Sequence, residues 1–278
     1  MKHLKLLILM CGGIAMAQIQ TPQPSPLSKL EQMVGLTEVK IEYSRPAMRG
    51  RTIMGDLVPF GSIWRTGANK NTTITFSDPV IVGGQALAAG TYALFSRPGE
   101  NLWELFFYTE IENLGIPSEW QSKSVAAVIE APTQSLEKFV ESFTISIDDL
   151  TNAGANIRLS WEKTEVTIPL KVPTDEKTMA SIKKTMNGSP KAGDLYQAAV
   201  YYRESGRALQ TAKKWIAKAI ELDPGKYWMY RQQSLILADL DEKEAAIEAA
   251  KSSLELAEKA GNQDYVRLNK RAIEEWSQ

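Results

Sequence analysis

Residues 36–44 read "LTEVKIEYS". Val39, Ile41 and Tyr43 alternate with Glu38, Lys40 and Glu42, a period of two that sets apolar side chains on one face and charges on the other, as in a half-buried strand. Segments of the same kind recur at 72–76, 80–82, 90–96, 102–108, 125–130, 142–147, 157–161 and 166–170, and Gly, Pro, Asn and Asp punctuate them. The "VGGQ" of 82–85 marks a two-residue hairpin turn. About nine short strands with no long helix between them predict an antiparallel β-sandwich or open barrel over residues 36–172.

Beyond Pro173 the period becomes helical. Thr174 with Asp175 and Glu176 starts a capped helix that runs to about Met186, and "NGSPKAGD" at 187–194 breaks it. In "AKKWIAKAIELDP" at 212–224, small Ala212 and Ala219 flank Ile216 and Ile220. Thirty-four residues later the same places hold Ala246, Ser253, Ala250 and Leu254, which is the spacing of tetratricopeptide helix pairs. Two repeats, 194–224 and 225–261, with a solvating last helix at 264–276, make residues 173–278 an all-α tetratricopeptide-like domain. The fold class expected is therefore α+β in two domains, with a β-sandwich first and helical repeats second.

The N-terminus carries a different signal. "MKHLKLLILMCGGIAMA" has basic Lys2 and Lys5, a short apolar run and Ala15 and Ala17 at the spacing of a cleavage site, so residues 1–17 read as a signal peptide. Cys11 offers lipid anchoring, but bulky Met10 precedes it where a small residue is wanted. No run approaches the roughly 18 apolar residues of a transmembrane helix. The expected location is periplasmic or extracellular, and residues 18–35, with Pro22, Pro24 and Pro26 among them, read as an extended leader.

Removing residues 1–17 also removes His3 and Cys11, the only His and the only Cys. The 32 Lys and Arg become 30 against 33 Asp and Glu, a net charge of −3 that argues against nucleic acid as a partner. Without imidazole or thiol, His-activated nucleophiles and His- or Cys-ligated metals are closed to the mature chain, and no cofactor is expected. Any catalysis would fall to carboxylates, Tyr, Lys or Arg.

The runs "IEYSRPAMRGRTIMGDLVPFGSIWRTGANKNTTITFS", "GGQALAAGTYALFSRPG" and "VESFTISIDDLTNAGANIRLSWEKTEVTIPLKV" resemble domain-of-unknown-function family 2911 over about residues 19–172. The motifs S-R-P, G-R-x-I-x-G-x-L-V-P and W-R-T-G-A-N stand in order. The resemblance implies a secreted protein of the kind found mainly in Bacteroidetes, and it implies no activity.

Between Arg45 and Lys70 lie five cations (Arg45, Arg49, Arg51, Arg65, Lys70) and one anion, Asp56. Arg grips carboxylate or phosphate through paired hydrogen bonds, and Asn69 adds an amide on the turn after Gly67. The candidate binding residues are Arg45, Arg51, Trp64, Arg65 and Asn69, for an anionic or carbohydrate ligand. The competing reading has Arg51 and Arg65 pair with Asp56 and main-chain oxygens to hold a long loop on the sheet. Two further readings stand beside these. One is a polysaccharide-active enzyme, a lyase with Tyr43 as base or a glycosidase with paired carboxylates; the other is a purely structural envelope component. Trp103, Phe106, Phe107 and Tyr108 read either as core or as one sugar-stacking face. For the helical domain, docking a protein partner and packing against the sandwich stand even. The role expected is non-catalytic, a ligand-binding and protein-interaction module of the bacterial envelope.

Overall fold

The computed structural model describes residues 21–278, and the expected signal peptide, with Cys11, lies outside them. The chain divides into two compact units at Thr174.

The first unit is one antiparallel sheet of nine strands in the order β1-β2-β3-β6-β7-β8-β9-β4-β5. The strands are β1 (Leu27–Val34), β2 (Thr37–Ser44), β3 (Ala68–Phe76), β4 (Val80–Val82), β5 (Gln85–Leu87), β6 (Gly90–Arg97), β7 (Leu102–Tyr108), β8 (Val125–Asp148) and β9 (Gly154–Lys171). The sheet folds over one core and is not closed: β1 and β5 are its edges. Strand β8 makes the fold possible. Its first residues pair with β7, Leu102 facing Pro132 and Phe107 facing Ala127, and from Thr133 onward it pairs with β9. A single 24-residue strand therefore belongs to both layers.

Three boundaries differ from the sequence reading, one of them being that 157–161 and 166–170, expected as two strands, are the single strand β9. Residues 27–34, expected within the extended leader, form β1 and pair with β2 from Leu27–Ser44 to Val34–Thr37. The alternation there is mixed: Leu30 and Val34 face the core, but Ser28 and Gln32 share that face while Leu27 and Met33 face solvent, so no clean apolar period exists to read. The hairpin needs Gly35 (φ +55°), because a Cβ there would stand 1.9 Å from Thr174 Oγ1. The segments 125–130 and 142–147, expected as two strands, are both β8. The stretch between them is exposed and carries register shifts, so its alternation fades while its pairing with β9 continues.

Alternation elsewhere has its expected result. Val39, Ile41 and Tyr43 are buried with Ile74, Phe76, Leu94, Trp103, Leu105 and Phe107 from the neighbouring strands and Ile157, Leu159 and Trp161 from β9. The other face of β7 is covered too: Phe106 and Tyr108 join Phe95 in a second cluster against Trp120. With both faces covered, β7 offers no sugar-stacking platform.

The second unit holds six helices: α1 (Thr174–Met186), α2 (Ala192–Glu204), α3 (Leu209–Leu222), α4 (Tyr227–Asp239), α5 (Lys243–Lys259) and α6 (Gln263–Trp276). Ala212, Ile216 and Ala219 on α3, and Ala246, Ala250 and Ser253 on α5, have no exposed surface, so the small residues sit where helices approach. Ser253 donates to the Tyr227 carbonyl at 2.7 Å and accepts from Asn269 Nδ2 at 2.8 Å, tying α5 to α4 and α6. Asn262 caps α6 through the Tyr265 N–H. Among the described residues no helix is long and apolar enough to cross a membrane.

Candidate functional site

The cationic stretch between β2 and β3 leaves the sheet at Ser44 and is bonded back to it at several points. Met48 N donates to Glu141 O and Phe143 N to Pro46 O, so residues 46–48 stitch onto β8. Two carboxylates hold the loop through its backbone. Glu141 Oε1 accepts from Arg49 N at 2.8 Å, and Glu162 Oε2 accepts from Ile53 N and Met54 N at 3.3 and 3.2 Å. Both of these carboxylates thus bond main-chain amides.

The other end of the loop is a strained turn. Trp64 forms a bridge with Ser96, and then Thr66 (φ +52°), Gly67 (φ +147°) and Asn69 (φ +59°) adopt the left-handed half of backbone space. Positive φ at Thr costs free energy that the surroundings must offset. They do so with hydroxyls: Thr66 Oγ1 bonds Ser96 Oγ at 2.9 Å, and Thr72 Oγ1 donates to Thr66 O at 2.6 Å. Asn69 Nδ2 donates to Ser25 O and Ser44 Oγ. Trp64 and Arg65, at the start of this turn, are both half-buried.

Between the two ends lies a cleft of about 540 Å³. Arg51, Trp64, Arg65 and Asn69 line it, together with Arg49, Trp161, Leu57 and Val58. Four of the five candidate residues therefore come together. Arg45 is not among the lining residues: its Nε donates to Phe143 O at 3.0 Å and its Nη2 to Thr144 Oγ1 at 2.7 Å, closing the seam between β2 and β8. Arg49, Trp161, Leu57 and Val58 were not singled out from sequence. Arg49 was visible as one of the five cations, whereas Trp161 comes from β9, distant in sequence, and only the fold brings it in.

The three cleft arginines are not equivalent. A guanidinium can chelate a carboxylate along the edge formed by Nε–H and Nη2–H. Arg51 spends that edge on Met48 O and Ala47 O, at 2.9 and 2.7 Å. Arg49 uses Nη2 on Pro24 O. Arg65 bonds Asn69 O through Nη1 alone, and its Nε and Nη2 carry no hydrogen bond to a described residue. The guanidinium lies against Gly115 (φ +104°), where a Cβ would meet Nη1 at 3.2 Å, and Gly115 N donates to Asn71 Oδ1.

No carboxylate lines the cleft, and among the described residues none forms an ion pair with Arg49, Arg51 or Arg65, Asp56 included. Carbonyl oxygens satisfy N–H groups without cancelling charge. The floor is aromatic: Trp64 stacks on Trp161 at 5.7 Å and meets Phe143 and Trp103 edge-on. The cleft thus sets three guanidinium groups and an aromatic floor in one lining.

Tyr43 has no part in it. Its ring is buried, and its hydroxyl donates to Ile145 O and accepts from Ile145 N, so it is not available as a base beside Arg65. Nor do paired carboxylates converge in the cleft for glycoside hydrolysis. Among the described residues no group of three or more acidic, His or Cys side chains converges as a metal site.

Residues 25–170 match the sequence model of the family described as "Protein of unknown function (DUF2911)". No curated protein matches the chain.

Proposed function

The chain belongs to the DUF2911 family, whose description assigns no activity, and we propose that its sheet unit is a binding module that captures an anionic ligand in the cleft under Arg65. One observation carries this reading: three guanidinium groups converge on a cleft that has no carboxylate in its lining. Three cations together repel one another, and a bound carboxylate, sulfate or phosphate removes that repulsion. A cleft of about 540 Å³ exceeds the needs of a bare inorganic ion and suits one or two sugar rings. Arg65 supplies the chelating edge, Arg49 and Arg51 the surrounding charge, Trp64 the apolar surface, and Asn69 holds the turn.

The rest of the reading follows the sequence. The basic and apolar start of the chain supports export, and on that reading the ligand is an acidic glycan of a cell envelope. The helix pairs α2/α3 and α4/α5, with their buried alanines 34 residues apart, support tetratricopeptide-like repeats that dock a protein.

A second reading has an observation of its own. Arg45 and Arg51 spend their chelating edges on the protein itself, as a staple would. Calorimetric titration of the full chain with galacturonate and sulfated-galactose oligomers separates the two. Capture by wild type and loss of at least about tenfold in Arg65→Ala, at unchanged thermal midpoint, supports binding. A collapse of the midpoint in Arg65→Ala, with no oligomer bound by wild type, leaves only the staple.

A further inference from the structure

Strand β1 ends the sheet on one side, and its outer edge meets no other strand among the described residues. An open edge presents a row of unmet N–H and C=O groups, which soluble proteins blunt with short strands, bulges or proline. The opposite edge obeys that rule, because β5 has three residues. Strand β1 does not. It has eight residues, pairs with β2 without a register shift, and contains no proline.

The hairpin fixes which backbone groups point outward. Val34 and Thr37 close a two-residue loop, and the pair that closes such a loop exchanges both of its backbone hydrogen bonds. Counting back by twos, Gln32, Leu30 and Ser28 also turn their backbone groups toward β2, and Pro26 O, which accepts from Arg45 N at 2.9 Å, keeps the same parity. Leu27, Lys29, Glu31 and Met33 therefore turn theirs to the open edge. Gln32 Nε2 donates to Met33 O at 2.9 Å, an exposed side-chain contact that a strand can replace. The side chains of these four residues share the solvent face, where Leu27 is 60% and Met33 53% exposed.

Laid antiparallel against a second copy, the sequence of β1 complements itself. With Leu30 at the twofold axis, Leu27 meets Met33 of the second copy and Lys29 meets Glu31 of the second copy, each contact made twice by symmetry. The outward backbone groups then fall opposite one another as hydrogen-bonded pairs. Sliding the second strand by two residues either way sets Lys29 against Lys29 or Glu31 against Glu31, which like-charge repulsion opposes. Within one copy Lys29 already bonds Glu42 of β2 at 2.7 Å, and Glu31 lies 3.5 Å from Lys40, so the pairing extends both contacts into rows of alternating charge. We propose that β1 pairs with β1 of a second copy in this register, joining two nine-stranded sheets edge to edge. One edge strand buries less surface than the roughly 1,200 Å² of a standard stable interface, so dimer and monomer should exchange.

No residue of β1 lines the cleft, so the pairing stands apart from what the cleft binds. The test is sedimentation velocity of the full chain from about 1 to about 200 µM, over which monomer should give way to dimer in wild type and in Arg65→Ala alike. Lys29→Glu and Glu31→Lys each bring like charges together in the self-pair, and each should weaken it at least about tenfold with the thermal midpoint held. Mixed one to one, these two variants should dimerise again, because every charge then faces its opposite. Glu31→Pro removes an N–H that β2 does not use, and should abolish the dimer while the strand signal in circular dichroism is kept. Monomer at every concentration overturns the proposal. So does a dimer that all three variants leave intact, which would put the interface elsewhere, and so does a mixture that stays monomeric while both of its components are folded.

Discussion

Arg45 and Arg65 stand twenty residues apart in one cationic stretch, one two residues after Tyr43 and the other directly after Trp64, and both are attractive as anion ligands on paper. Their surroundings divide them. Arg45 lies along the seam where β2 meets β8, with its chelating edge on Phe143 O and Thr144 Oγ1 beside the Tyr43 hydroxyl on Ile145. Arg65 leaves a strained turn and keeps that edge over an aromatic floor. The lesson is that charge in a loop says little until the main chain has claimed its share of donors. Only the donors left over after that claim are open to a ligand.

The contrast can be broken from the seam side. Tyr43→Phe leaves both the N–H and the C=O of Ile145 without their partner in a buried place, and should cost about 2–4 kcal/mol in denaturant unfolding. An effect under about 0.5 kcal/mol would mean the seam is not closed there. Glu162→Ala is the intermediate case. Loss of the acceptor for Ile53 N and Met54 N should cost about 1–2 kcal/mol and loosen the loop that carries Arg51, so oligomer affinity falls along with stability. If affinity holds while stability drops, the loop does not shape the cleft. The cleft side sharpens the contrast with the smallest stability effect: Arg65→Ala should change unfolding by less than about 1 kcal/mol while binding collapses.

Much of this architecture was legible in the sequence because most strands obey one rule. Where one face meets the core and the other meets water, period two is written plainly, as in β2. Strand β1 broke the rule by carrying Leu27 and Met33 outward, and β8 broke it where the strand stands clear of the core and register shifts interrupt it. The ends of α1 were readable for a different reason: Thr174 with Asp175 and Glu176 opens the helix, and the breaker residues from Asn187 onward close it after Met186. In the cleft, Arg51, Trp64, Arg65 and Asn69 were visible as a cluster in one stretch. The burial of Tyr43 was visible too, but its hydroxyl's commitment to Ile145, a hundred residues away, was not. Arg45 could not be told from Arg65, because the acceptors that occupy it come from β8.

The length of β8 carries a consequence for how the first unit comes apart. A ribbon shared by two layers cannot release one of them and keep the other, because any slip in its middle is felt at both ends. The unit is then a single cooperative block despite its two faces, and local opening is confined to β1 and the β4–β5 hairpin. Native-state hydrogen exchange should find the amides of 125–132 and of 144–148 opening with one common free energy. Two distinct values would mean that the strand, though continuous, bends at a joint where the layers part company.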